Sequence, residues 1–369
     1  MARGRIGAAV RGGALAAAVA VAVASAGMAE PLWGFTAFPF DLTPESEDRV
    51  HAIIARHANL FAIHMDNCLP WVEAMAGEPF PDWFAADWAR VRSHIPAGHK
   101  VYVAMTPTDN DRQSLAPQCG RSEDRPARHP RGIRGKPLDD PAVIAAYVAY
   151  LRRQIDFFRP AYVNIGIEMS EMSLRAPELW PAFETLYLAA VAALKDSHPQ
   201  VQVGIELGLQ SLTDPRVGAQ VRRAVEASDF MCLSFYPYAA EAARVLFGAP
   251  PLPPPPEQWR VPLDWVRSYT DKPLAVCETG HPSRTVELAG LGVTLPGDPA
   301  EQALYLRDLV RVARRDGYLF VVWFIAVDYE RLMAALPGAA EWMWIWAYTG
   351  LFGSDLAPRP ALAEWPLPR

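Results

Sequence analysis

Two segments of this 369-residue chain each finish an apolar run with a single carboxylate: Val163-Asn164-Ile165-Gly166-Ile167-Glu168 and Leu274-Ala275-Val276-Cys277-Glu278-Thr279-Gly280. An unpaired carboxylate is costly to bury, so an acidic residue closing a strand-like run requires a reason. Two of them on separate strands point to acid and nucleophile chemistry at a sugar, where two carboxyl groups flank the bond that breaks. Reading the other strand ends in chain order adds His64 and Asp66, then Asp109 and Asn110, Glu206, Tyr236, and Trp323 with Asp328. An aromatic face stacks on a pyranose ring while carboxyl groups act on its glycosidic bond, so this set suits glycoside hydrolysis. His64 and Asp66 are expected to bind sugar hydroxyls or each other; a metal there lacks an evident third ligand.

The elements that must position these residues alternate. Strand-like runs cover Leu32–Phe40, Leu60–Asp66, Lys100–Met105, Tyr162–Glu168, Val201–Glu206, Phe230–Phe235, Pro273–Glu278 and Leu319–Ile325. Each is mostly apolar, the pattern of strands covered on both faces. Helical patterns between them include Asp140–Phe157, Pro177–Asp196, Arg216–Ala227 and Pro299–Arg315, with Asp140-Pro141 and Asp298-Pro299 marking helix starts. Eight such units predict a single α/β domain, a (β/α)8 TIM barrel over residues 30–369. An open doubly wound sheet would want a glycine-rich phosphate fingerprint after the first strand, and Gly34 alone does not supply one. Two insertions, Pro107–Lys136 and Ala249–Pro256, fall on βα connections and so on the face where barrel sites lie. The first reads largely as a solvated loop and the second, proline-rich, as a stiff wall. Trp342, Trp344 and Trp346 read as barrel wrapping.

Composition fits this reading. A 51% hydrophobic and 21% charged chain has enough apolar residues for a large core. Its net charge of −6 argues against a nucleic-acid partner, which calls for a basic patch. Arg3, Arg5 and Arg11 precede an apolar stretch from Ala14 to Ala24 and the small residues Ala24-Ser25-Ala26 and Gly27-Met28-Ala29. That is the layout of a cleaved secretory signal over residues 1–29, so a secreted or periplasmic protein with no membrane attachment after cleavage is expected. Export places the four cysteines in an oxidising compartment. Cys68 and Cys119 lie in loop-like segments and can pair; Cys232 and Cys277 lie inside strand patterns and read as buried thiols.

The words around these residues carry a family likeness. Glu168 on the fourth strand, Tyr236-Pro237-Tyr238 after the sixth, Glu278-Thr279-Gly280 on the seventh and Trp323 on the eighth resemble the clan A glycoside hydrolases. Ser234-Phe235-Tyr236-Pro237-Tyr238 and Glu278-Thr279-Gly280-His281-Pro282 are most similar to the endo-β-1,4-galactanase branch, glycoside hydrolase family 53. Tyr348-Thr349-Gly350-Leu351-Phe352 and Arg359-Pro360-Ala361-Leu362 echo the clan's closing segment. The likeness spans strands four to eight and is faint over the first three. It implies a retaining double displacement on a β-linked polysaccharide by a monomer that needs no organic cofactor or metal. Glu278 would be the nucleophile, Glu168 the acid and then base, Tyr236 a hydrogen-bond donor to Glu278, and Trp323 the floor of the sugar subsite. Retention requires carboxyl groups about 5–5.5 Å apart, near enough to keep one, expected to be Glu168, protonated. One position departs: where the clan carries Asn before the acid, this chain has Ile167, leaving Asn67, Asn110 or His64 to replace it. Gly166-Ile167-Glu168 also recurs as Gly204-Ile205-Glu206, which keeps Glu206 as the alternative acid. The rival to hydrolysis is a degenerate barrel that binds a glycan without cleaving it.

Overall fold

The computed structural model describes residues 29–122, 125–336, 338 and 340–367. The signal reading falls outside the described residues, apart from Ala29. Eight parallel strands close into a barrel: β1 (Leu32–Thr36), β2 (Leu60–Met65), β3 (Lys100–Met105), β4 (Tyr162–Asn164), β5 (Gln202–Gly208), β6 (Phe230–Phe235), β7 (Leu274–Thr279) and β8 (Phe320–Trp323). β8 returns to β1 with Leu32 opposite Phe320, which completes the (β/α)8 barrel. Four of the helices outside it start on a repeated word. Thr43, Asp140, Asp214 and Asp298 each accept a hydrogen bond from a backbone N–H of the first turn, and each is followed by proline. The cap satisfies an orphan donor, and proline fits the first helical position because its missing N–H has no partner there.

Strand alternation divides the apolar residues into two sets. Leu60, Ala62, Tyr102, Ala104, Phe230, Cys232, Ala275, Cys277, Phe320 and Val322 meet inside the barrel, while Phe61, Ile63, Val103, Val203, Ile205, Val276 and Val321 pack outward against the helices. This phase carries His64, Asn164, Glu206 and Ser234 inward. Strict alternation after Cys277 would turn Glu278 outward. The register slips instead: Leu233 pairs with Val276, but Ser234 pairs with Glu278. One extra residue in β7 brings the carboxylate level with an inward neighbour, a bulge that re-aims a side chain.

Three details differ from the sequence reading. The fourth strand stops at Asn164, and Ile165 to Met169 form a turn in which Glu168 has φ of 51°. Cys232 and Cys277 are joined as a disulfide across β6 and β7, Cα atoms 5.6 Å apart, because the parity of both strands points them into the interior together. Among the described residues after β8, only Glu330–Ala335 is α-helix, followed by 3-10 turns at Glu341–Trp346 and Pro360–Glu364. Trp365 closes this side by covering Trp33 and Phe35, at ring distances of 5.5 and 4.5 Å.

The insertion after β3 folds as a hairpin, Gln118–Ser122 with Arg125–Ala127, and the Cys68–Cys119 disulfide ties it to the loop after β2. No described helix is long and apolar enough to cross a membrane.

Candidate active site

The C-terminal strand ends bring His64, Asp66, Glu168, Glu206, Ser234, Tyr236 and Glu278 together at one mouth. Tyr236, just past β6, donates its hydroxyl to Glu278 Oε2 at 3.0 Å. His64 Nδ1 lies 3.1 Å from Glu278 Oε1, and its Nε2 lies 3.3 Å from Asp66 Oδ2. Both oxygens of Glu278 thus face a donor. Glu168 is held in the same way from two sides: Ser234 Oγ donates to Oε1 at 2.7 Å, and Arg112 Nη2 reaches Oε2 at 3.2 Å. Since Ser234 is the register partner of Glu278, the two carboxyl groups open onto the same space.

Charges in this cluster are strongly interdependent. Burial works against the His64 cation, but Asp66 and Glu278 outweigh it and push its pKa up to about 10. An imidazole with a carboxylate at each nitrogen keeps both protons. Burial would raise Asp66 as well, yet the charge and hydrogen bond of His64, with Arg112 behind them, bring it down to about 2. Burial raises Glu278 to about 7, with Glu168 adding to the shift and His64 and the Tyr236 hydrogen bond opposing it. The upward push expected between two carboxyl groups is therefore found at Glu278.

Arg112 is a member the sequence reading missed. It sits in the insertion that reads as a solvated loop, but it is only 6% exposed. It also has φ of 56°, and of the four described non-glycine residues at positive φ, Arg112 and Glu168 are the two halves of one ion pair. The left-handed region costs an ordinary residue about 1–3 kcal/mol, a strain that collects at sites held by their surroundings. Ser234 was missed too, although the quoted word Ser234-Phe235-Tyr236 contains it.

Other expected contributors lie elsewhere. Trp323 is 0% exposed, donates Nε1–H to the Thr349 carbonyl at 2.7 Å, and faces Tyr305 outside the barrel. It cannot floor a subsite, because its strand parity matches Val321 rather than Val322. The aromatic surface beside Glu278 comes instead from Tyr236, Phe324 and Trp346, with ring centroids 6.2 and 5.8 Å from Tyr236. Trp342, which reads as barrel wrapping, is 45% exposed and continues this surface outward, 5.9 Å from Trp346. Asn110 is exposed on its loop, and its backbone N–H bonds the Asp109 carboxylate. Asp328 is enclosed with Arg359 and the Gly350 N–H. Ile167 points down into the barrel interior and Asn67 is exposed, while His64, one of the three proposed substitutes, adjoins the carboxyl pair. Glu171 lies in the first turn of a short helix, where Ser211 donates to it at 2.6 Å and burial raises its pKa to about 7. Among the described residues, no group of three or more His, Cys, Asp or Glu is placed to hold a metal ion.

No family model matches the chain, and no curated protein matches its sequence. Solved structures do share its fold. The GH53 catalytic domain of Ignisphaera aggregans superposes with a TM-score of 0.53 at 17% identity, over 86% of each chain. The exo-β-1,4-mannosidase Op5Man5 from Opitutaceae bacterium strain TAV5 gives 0.62 at 14% identity, over 92% of this chain and 60% of its own. An endo-laminarinase from Formosa Hel1_33_131 gives 0.51 at 14%, over 88% and 83%. At such identities the likeness establishes a common (β/α)8 barrel.

Proposed function

We propose that this chain is a retaining glycoside hydrolase acting on a β-linked polysaccharide. The observation that carries the reading is Glu278, held at one oxygen by Tyr236 and at the other by His64, sharing a mouth with Glu168. The barrel shared with glycosidases of several specificities supports it. In the first step the ionised Glu278 attacks the anomeric carbon, the glycosidic C–O bond breaks, and Glu168 gives its proton to the departing oxygen. In the second, water attacks the same carbon, Glu168 takes its proton, and Glu278 leaves as a carboxylate. Ser234 and Arg112 orient Glu168 through both steps. The His64 cation and the Tyr236 hydroxyl stabilise the carboxylate that attacks and departs. The aromatic path from the half-buried Tyr236 and Trp346 to the exposed Trp342 suits a polymer longer than one sugar. We place the protein outside the cytoplasm, a reading supported by its two disulfides.

One observation favours a second reading with the roles exchanged. Glu278, drawn up to about 7, is well placed to carry a proton, and Glu168 beside Arg112 to attack. The test of hydrolysis itself is the release of reducing ends from β-glucans, β-galactans, β-mannans and bacterial exopolysaccharides, by wild type and by Glu278→Gln. Release by wild type alone is expected. Binding of a polymer with no release by either form would instead identify a glycan-binding barrel.

A further inference from the structure

The Gly-Ile-Glu word occurs twice, and its second copy has a task of its own. Glu206 sits inside the barrel in β5, 0% exposed. Its Oε2 accepts a 2.5 Å hydrogen bond from Asn164 Nδ2, and Oε1 is buried without a partner among the described residues. Among the described residues no cation touches it. The groups facing it are Asn164 from β4 and, through their charges, Glu278 from β7, Glu168 from the β4 turn, His64 from β2 and Arg112 from the insertion, with Tyr102 of β3 beyond Asn164. An anion in that place would be desolvated and set against two further carboxylates. Burial, then Glu278 and Glu168, accordingly push its pKa well above the usual range, against the weaker pull of His64 and Arg112.

Glu206 also brackets the turn that carries Glu168. Asn164 Oδ1 accepts from the Gly166 N–H at 3.1 Å; the Glu206 N–H donates to the Gly166 carbonyl at 3.0 Å; and the Met169 N–H donates to the Glu206 carbonyl at 2.9 Å. The side-chain link acts through Asn164 and the two backbone links act directly, one on each side of Glu168. We propose that Glu206 is a positioning residue: carried as the uncharged acid, it fixes Asn164 and so holds the strained turn that aims Glu168 at its partner. Only an uncharged group can do this without adding a further anion beneath the pair, so glutamine should serve in its place and an apolar residue should not.

The experiment joins three readouts on wild type, Glu206→Gln, Glu206→Leu and Asn164→Ala. Infrared difference spectra at pH 9, above the values of about 7 for Glu278, Glu171 and Asp328, should show a protonated carboxyl stretch in wild type that is missing in Glu206→Gln. Amide exchange over residues 164–169 should stay slow in wild type and Glu206→Gln and quicken at least ten-fold in Asn164→Ala and, if it folds, Glu206→Leu. On any polymer that wild type cleaves, kcat should fall in Glu206→Leu and Asn164→Ala with KM held, and Glu206→Gln should recover at least ten-fold of the Leu loss. The inference rests on the glycosidase reading only in this last arm. If no polymer is cleaved that reading fails, while the infrared and exchange arms still decide the role of Glu206. Absence of the carboxyl band, or exchange in Glu206→Gln as fast as in Asn164→Ala, would overturn the proposal.

Discussion

As the proposed nucleophile, Glu278 would have to lose its proton before attacking, and burial holds its pKa at about 7. For the assignment proposed above, kcat/KM should climb with pH along an acidic limb near that value, since this ratio reports ionisations of the free enzyme. Tyr236→Phe removes a hydrogen bond that favours the ionised form, so the limb should move to higher pH; a pH–rate profile of both forms checks this. Glu278→Gln should cost at least about 10³-fold in kcat with the fold retained by circular dichroism, the scale seen when a nucleophile is removed. The residue types of this site were legible because carboxylates closing apolar strands are rare. Their side-chain directions were less so. Parity read along β7 turns Glu278 outward, and only the register slip against β6, invisible in one strand's sequence, turns it in. The same one-residue logic moved Trp323 from the expected subsite floor to the outer wall.

At the scale of elements, one word can have two fates. Gly204-Ile205-Glu206 lies within β5, where a Cβ on Gly204 would come within 2.5 Å of the Phe230 ring. Gly166-Ile167-Glu168 lies in a turn, because β4 ends at Asn164, whose side chain takes the Gly166 N–H that a longer strand would use. Gly204→Ala should overpack the barrel floor and destabilise the protein by about 1–3 kcal/mol in urea titration. The strand and helix starts were readable from apolar runs and from Asp-Pro words. The insertion after β3 was not: its polarity suggested solvent, whereas the Cys68–Cys119 link folds it back and Arg112 enters the site. Closing 51 residues of chain, that disulfide should contribute about 2–4 kcal/mol, so Cys68→Ser with Cys119→Ser should lower the urea midpoint accordingly.

For the whole molecule, the barrel was legible because eight apolar runs alternating with helices leave few other closed arrangements. The last unit was the exception, since it has a six-residue helix followed by short turns and Trp365, which have no periodic signature. Global stability should report the buried charge cluster. His64 has a folded pKa of about 10, above its unfolded value of about 6.5. Its contribution is therefore fully present below about 6.5 and is lost as pH rises toward 10. Thermal melts over that range should show wild type losing stability faster than His64→Gln. The assignment of roles, and the covalent step within it, is decided most directly by trapping. The protein would be incubated with activated 2-deoxy-2-fluoro-β-glycosides of galactose, mannose and glucose, and the labelled peptide sequenced by mass spectrometry. The account predicts one sugar attached to Glu278; a label on Glu168, or continued polysaccharide hydrolysis with no label from any of the three, would contradict it.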